Sequence, residues 1–221
     1  MDASAFSLVD KTALITGAGQ GIGRALAIGL AKAGARIVVT DVNPDSAAKV
    51  ATEVQTLGPA AGVRERSRHS LAMTVAEWDH IIAVNLRGPF LLCQAVGRRM
   101  AQRGGGNIVN IASQLGLVGM AARPAYTASK AGLINLTRTL ALEWAKQGIR
   151  VNAVAPGPIL TPFTAPLHQD PVINQRYQQA TPLGAWPEPE VIAGAVVYLA
   201  SAASGFVTGS VLVVDGGYTA L

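Results

Sequence analysis

Short apolar runs alternate along this chain with longer segments of helical spacing. TALIT (12–16) predicts a buried strand that enters a glycine-rich turn. GRALAIGLAKAG (23–34) has helical spacing and stops at Gly34, a good C-terminal cap. ARIVVTD (35–41) is β-branched and strand-like. NPDSAAKVATEVQTLG (43–58) opens with Asn, Pro and Asp and ends in Gly, as helices do.

The alternation resumes further on. Residues 74–104 read as one long helix, with Thr74 and Glu77 as a capping box and Pro89 implying a kink or distorted turn. GNIVNIAS (106–113) is a strand, YTASKAGLINLTRTLALEWAKQG (126–148) a helix, and IRVNAVAP (149–156) a strand. A loop-rich insert runs to about residue 187. A helix at 189–201 and a last strand at 209–217 close the chain. Strands apolar on both faces and alternating with helices predict a parallel sheet covered on both sides. With no internal repeat or linker, the expectation is one α/β domain over residues 1–221, a Rossmann-like doubly wound sheet in three αβα layers.

Composition narrows the function classes. Half of the 221 residues are hydrophobic, which excludes a disordered chain. The net charge is +5, and GVRERSRHS (62–70) carries three arginines, a glutamate and a histidine. The other cations are scattered singly and aromatics are 5%, so no nucleic-acid partner is expected. The one cysteine, Cys93, reads as a small buried hydrophobe. MDASAFSLVDK lacks the marks of a secretory leader, and the longest apolar stretch, 193–207, is too short and broken for a membrane span. A cytoplasmic protein without a membrane partner is expected. His69, His80 and His168 share no ligand spacing, so no metal is expected. Trp78, Trp144 and Trp186 read as packing residues.

TGAGQGIG (16–23) follows a strand and opens a helix. Glycines let the backbone approach a pyrophosphate, and the helix N-terminus offers free N–H groups and a positive dipole end. Asp41, at the end of the second strand, suits the adenosine ribose hydroxyls and repels a 2′-phosphate, and Gln20 adds no positive charge. These features favour NAD over NADP. The alternative for Asp41 is a cap on the helix that follows.

Tyr126 and Lys130 stand four apart at a helix start and share a face. Ser113 ends the preceding strand, at the carboxyl edge where open α/β sheets bind ligands. Reduction of a ketone needs a proton donor at its oxygen, and oxidation of an alcohol needs a base there. Tyrosine is too weak a base at neutral pH unless a cation lowers its pKa, which Lys130 can do. Ser113 can hold the substrate oxygen.

With these motifs the chain resembles the short-chain dehydrogenase/reductase family. The likeness rests on the turn Thr16–Gly23, the tetrad Asn85, Ser113, Tyr126 and Lys130, the pair Pro156–Gly157, and the C-terminal TPLGAWPEPEVIAGAVVYLAS and FVTGSVLVVDGG. It implies an NAD-dependent oxidoreductase acting on a small secondary alcohol or ketone, with Tyr126 as general acid/base. It implies a proton relay through a water held by Asn85, with Lys130 also on the nicotinamide ribose and Thr161 on the carboxamide. The cofactor contacts it implies are Gly17, Gly19, Gln20, Gly21, Ile22, Asp41, Asn85, Tyr126, Lys130, Pro156, Gly157, Ile159 and Thr161. It also implies a homo-oligomer, dimer or tetramer, joined through helices 74–104 and 126–148 and the last strand. Residues 158–187 resemble the family's substrate-covering loop.

One place departs from the pattern. Only sixteen residues separate Leu57 from Thr74, whereas a β–α–β unit takes about 30. At most one short strand, AAGV (60–63), fits there, so the third helix and fourth strand of the usual fold are missing. Strand four normally lies beside strand one. Its loss leaves TALIT unpaired on one side, at about 1–3 kcal/mol for each buried orphan group against a total stability of about 5–15 kcal/mol. Either GNIVNIAS moves in beside TALIT or the chain is unstable. Two readings stay open: a working oxidoreductase, and a truncated, non-catalytic remnant that binds cofactor or partners.

Overall fold

The computed structural model of the chain describes residues 3–54 and 69–220. They form an α/β fold of five parallel strands in two sheets, with helices in the connections. The chain gathers into two compact units.

The first unit comprises residues 1–61, 157–205 and 216–221. It opens with β1 (Thr12–Thr16), α1 (Gly21–Lys32), β2 (Arg36–Thr40) and α2 (Pro44–Val54). β1 and β2 pair in parallel, from Thr12 opposite Arg36 to Thr16 opposite Thr40. Asn43 caps α2 by accepting from the Ser46 N–H at 3.0 Å. The insert after residue 157 carries α6 (Ala165–His168) and α7 (Pro171–Ala180), and α8 (Glu190–Ala200) follows. α1 packs on α8, and the buried Ala25, Leu26 and Leu30 of one and Ile192, Ala193 and Val196 of the other supply the apolar surface.

The second unit comprises residues 62–156 and 206–215. α3 (Val75–Ile82) starts at the expected capping box: the Glu77 N–H donates to Thr74 Oγ1 at 3.2 Å, and the Thr74 N–H donates to Glu77 Oε2 at 2.9 Å. A π-helical turn, Ala83–Arg87, leads into α4 (Gly88–Gln102). Then come β3 (Gly106–Ile111), α5 (Pro124–Trp144), β4 (Ile149–Pro156) and β5 (Val211–Val214). β4 is the middle strand of the order β3-β4-β5, and all but one of its residues are buried. Cys93, Ile108, Leu140, Ala141, Ile149 and Val151 form one core cluster.

Several expectations change. The single long helix over 74–104 is two helices joined by the π turn. The loop-rich insert is partly helical, because Pro166 and Pro171 sit in first turns, where a missing N–H costs nothing, and Asp170 caps α7. β1 is not covered on both sides: Ile15 is buried, but Leu14 is 46% exposed. The pairing expected between GNIVNIAS and TALIT is not among those described: β3 pairs with β4, and β1 pairs with β2. Among the described residues no strand lies between β2 and β3. The strand expected at 60–63 and most of GVRERSRHS lie outside the described residues. Of that stretch, His69 and Ser70 are described: the His69 ring accepts from the Leu71 N–H, and Ser70 opens a single 3₁₀ turn. No described helix is long and apolar enough to cross a membrane.

Candidate functional site

The glycine turn and Asp41 meet in the first unit. The Gly19 N–H donates to Asp41 Oδ2 at 2.9 Å, and the Asn43 N–H donates to Oδ1 at 3.0 Å. The second of these bonds stays within the β2–α2 connection, but the α2 cap itself is Asn43. Asp41 is therefore tied to the turn, with lone pairs left over on both oxygens. Gln20 precedes α1 without a side-chain cap, and the first turn of α1 holds no acid. Its N–H groups and positive dipole end are thus not masked by a carboxylate.

The turn fits a pyrophosphate by the same tests. Gly21 has φ +53°, and a Cβ on Gly23 would lie 2.1 Å from the Gly17 carbonyl oxygen. Only glycine allows this backbone path. A Cβ on Gly21 would touch Thr161 at 3.4 Å, so Thr161 lies against the turn. The Thr161 hydroxyl is 3.0 Å from Thr164 Oγ1, and Ile159 is buried beneath the start of the insert. Gly17, Gly19, Gln20, Gly21, Ile22, Asp41, Gly157, Ile159 and Thr161 all belong to this unit, while Pro156 ends β4 in the other.

The rest of the insert is held by its own aromatics. Trp186 lies 4.9 Å from Tyr177 and 5.8 Å from His168, centroid to centroid, and its Nε1–H donates to Asn174 Oδ1 at 2.8 Å. Tyr177 also meets Tyr218 at 6.1 Å. Trp186 is thus a packing residue, as the sequence predicts, and His168 belongs to the same cluster.

The tetrad meets in the second unit. Asn85 is buried inside the π turn, a local widening of the helix. Its Nδ2 lies 3.5 Å from Ser129 Oγ, whose hydroxyl donates to the Tyr126 carbonyl at 2.7 Å. Ser113 follows β3, is buried, and its side chain hydrogen-bonds the Tyr126 hydroxyl. Lys130 Nζ donates to the Ile111 carbonyl at 2.9 Å and lies 5.8 Å from the Tyr126 ring centroid.

The electrostatics add one group to the sequence expectation. Burial pushes the Tyr126 hydroxyl up from its ordinary pKa; the Ser113 hydrogen bond and the charge of Arg123 pull it back. Arg123 thus acts on the phenol as a cation that the sequence did not point to. Burial alone lowers Lys130 to about 8. Both side chains keep some exposed surface, but their polar tips lie deep.

Sequence reasoning missed two residues. Arg123 is 8% exposed and precedes α5, where the helical start at Pro124 was the available signal. Gln114 is 2% exposed, and its Oε1 has no hydrogen-bond partner. Cys93 is buried against Asn110 with its thiol pushed up to about 11, which suits a packing residue and not a nucleophile. No metal-holding group of His, Cys, Asp and Glu occurs among the described residues.

Two family models match the chain in succession. The model for short chain dehydrogenase matches residues 11–61, and that for enoyl-(acyl carrier protein) reductase matches residues 56–219. The chain is 39% identical to 2-dehydro-3-deoxy-D-gluconate 5-dehydrogenase of Bacillus subtilis, over 97% of this chain and 96% of that one. It is 33% identical to the NAD-dependent glycerol dehydrogenase of Listeria innocua, over 97% and 96%. Its fold matches the crystal structure of a gluconate 5-dehydrogenase from Burkholderia cenocepacia in complex with NADP and tartrate. There the TM-score is 0.92 and the identity 33%, covering 99% of this chain and 98% of that one. The alignment with the Bacillus protein spans 246 positions, whereas 97% of 221 residues is about 214, so about 32 positions face no residue of this chain.

Proposed function

This chain belongs to the short-chain dehydrogenase family, and on that premise we propose that it is an NAD-dependent oxidoreductase of a polyhydroxylated small molecule, a sugar acid or a polyol. The observation that carries the proposal is the hydrogen bond between Ser113 and Tyr126 on the helix that also carries Lys130. Whatever the substrate, an oxygen held by both hydroxyls is the oxygen that gains or loses the proton.

The residues divide the work. The Gly17–Gly23 turn and the α1 N-terminus hold the pyrophosphate, and Asp41 holds the adenosine ribose. Asp41 supports NAD over NADP, because a carboxylate opposes a 2′-phosphate. NAD, when bound, would accept a hydride from the carbinol carbon, and NADH would donate one to the carbonyl carbon. Ser113 fixes the substrate oxygen, and Tyr126 takes its proton during oxidation. Arg123 makes that transfer easier by lowering the phenol. Asn85, through Ser129 and the Tyr126 carbonyl, holds the N-terminal turn of α5 in place. The closeness of Thr161 to Gly21 supports a cofactor contact for it. The two units are read as one oxidoreductase domain, 1–221, in a cytoplasmic homo-oligomer. An apolar hollow lined by Ile82, Leu86, Phe90 and Leu136, with Leu91 and Leu92 exposed nearby, supports self-association through α4 and α5.

A second reading has its own observation. The two family models meet at residues 56–61, the unmatched positions number about 32, and the Leu14 face of β1 is open. These agree with the loss of one helix–strand unit of about 30 residues. The chain is then a cofactor-binding remnant without turnover. NADH fluorescence titration and NAD reduction assays on the purified protein, with a panel of sugar acids and polyols, separate the two. NAD reduction supports the oxidoreductase; NADH binding by a folded protein that reduces no NAD supports the remnant.

A further inference from the structure

We propose that Gly19 is a positioning residue for cofactor choice: the side chain it lacks leaves the space in which the Asp41 carboxylate stands against the turn, and so sets the preference between NAD and NADP. The inference rests on the reading of this turn and Asp41 as the cofactor site, but not on turnover. The residues involved, Gly19, Asp41 and Ser46, all belong to the first unit.

The four glycines of the turn are not equivalent. Gly17 and Gly21 have φ of 65° and 53°, so the backbone itself demands glycine there. Gly23 is demanded by the backbone of Gly17, which a Cβ would strike. Gly19 lies outside the left-handed region, so its own conformation admits any L-residue. What a Cβ at Gly19 would meet is side chain: Ser46 Cβ at 2.8 Å, Asp41 Cγ at 2.9 Å and Asp41 Oδ2 at 2.9 Å. Carbon atoms in good contact sit at about 3.5–4.0 Å, so the space is already filled.

The same residue holds the group it makes room for. Its N–H donates to Asp41 Oδ2 at 2.9 Å, while Oδ1 accepts from the Asn43 N–H at 3.0 Å. The Asp41 side chain is buried. A methyl group at position 19 cannot share this space. Ser46 Cβ is fixed to the backbone of α2, whereas the carboxylate turns about its side-chain torsions, so the carboxylate gives way. It then loses its bond to the turn, and the fixed charge that opposes a 2′-phosphate goes with it. The N–H left behind is a donor that suits a phosphate oxygen. Both changes favour NADP.

Fluorescence titration of the purified chain with NADH and with NADPH tests this, in a cycle of Gly19→Ala, Asp41→Ser and the two together. Gly19→Ala is expected to move the ratio of NADH to NADPH affinity toward NADPH by about tenfold. With Asp41 already replaced, the same change should move the ratio by less than about twofold, because the two residues act as one. Should Gly19→Ala not fold, Gly19→Ala combined with Ser46→Gly decides: it removes the contact with α2, keeps the one with Asp41, and should show the same shift. An unchanged ratio in Gly19→Ala, an equal loss of both cofactors, or a shift of the same size without Asp41 overturns the inference. If the parent prefers NADH and only the expected shift is missing, the cofactor reading stands without it. A parent that binds neither cofactor, or prefers NADPH, sinks both. The expected shift in a protein that reduces no NAD would sink the oxidoreductase reading and leave this inference standing.

Discussion

Lys130 Nζ donates to the carbonyl oxygen of Ile111, the last residue of β3, at 2.9 Å. The bond ties α5, which carries Tyr126, to the strand that Ser113 follows. It holds a lysine whose burial lowers its pKa from 10.5 to about 8. In the unfolded chain the group titrates at its ordinary value. Between pH 8 and 10.5 the unfolded chain therefore binds more protons, and stability rises with pH across that window. Below pH 8 the charged, buried lysine costs the fold up to about 3 kcal/mol. Lys130→Met should then be more stable than the parent by about 2 kcal/mol at pH 7, after about 1 kcal/mol for the lost hydrogen bond. Urea unfolding at pH 7 and at pH 10.5 checks it: the gain should vanish at the higher pH.

On the proposed function, Asp41 sets the choice of cofactor. Its carboxylate is held against the turn by the Gly19 N–H, so a 2′-phosphate meets a fixed negative charge. Asp41→Ser removes the charge and should shift the ratio of NADH to NADPH affinity toward NADPH by about tenfold or more. Fluorescence titration with both reduced cofactors reads the ratio. An unchanged ratio would move the cofactor preference elsewhere.

Leu14 reports whether the face of β1 is open. A core leucine loses about 2–5 kcal/mol on truncation. At 46% exposure, Leu14→Thr should cost no more than about 0.5 kcal/mol, while Ile15→Thr on the opposite, buried face should cost several times more. Chemical denaturation of the two variants compares them directly. A large loss at Leu14 would mean that the face is covered in solution, by another copy of the chain or by residues 55–68.

The hydrophobic runs made the strands and most helices legible. β4 is apolar on both faces because it is the middle strand of its sheet. The π turn at Ala83–Arg87 was not legible as such: its residues continue the helical spacing, and Pro89 signalled a distortion without locating it. α6 and α7 hid behind prolines that start helices as readily as they break them. In the site, spacing brought Tyr126 and Lys130 to one face but could not say which cation the phenol feels. That depends on side-chain reach and burial, and Arg123 emerges only once the N-cap of α5 is known. Asp41 was legible because a strand end beside a glycine turn leaves its carboxylate few other partners.

The central claim is that Tyr126 moves the proton while the cofactor moves the hydride. The most direct measurement is the rate of NADH formation at 340 nm by the purified chain with a sugar acid and NAD, set against the same protein carrying Tyr126→Phe. The account predicts turnover in the parent and a loss of about 10²–10⁴-fold in kcat in the variant, with NADH binding retained. Turnover that survives Tyr126→Phe, or a folded, NADH-binding parent that forms no NADH, would contradict it.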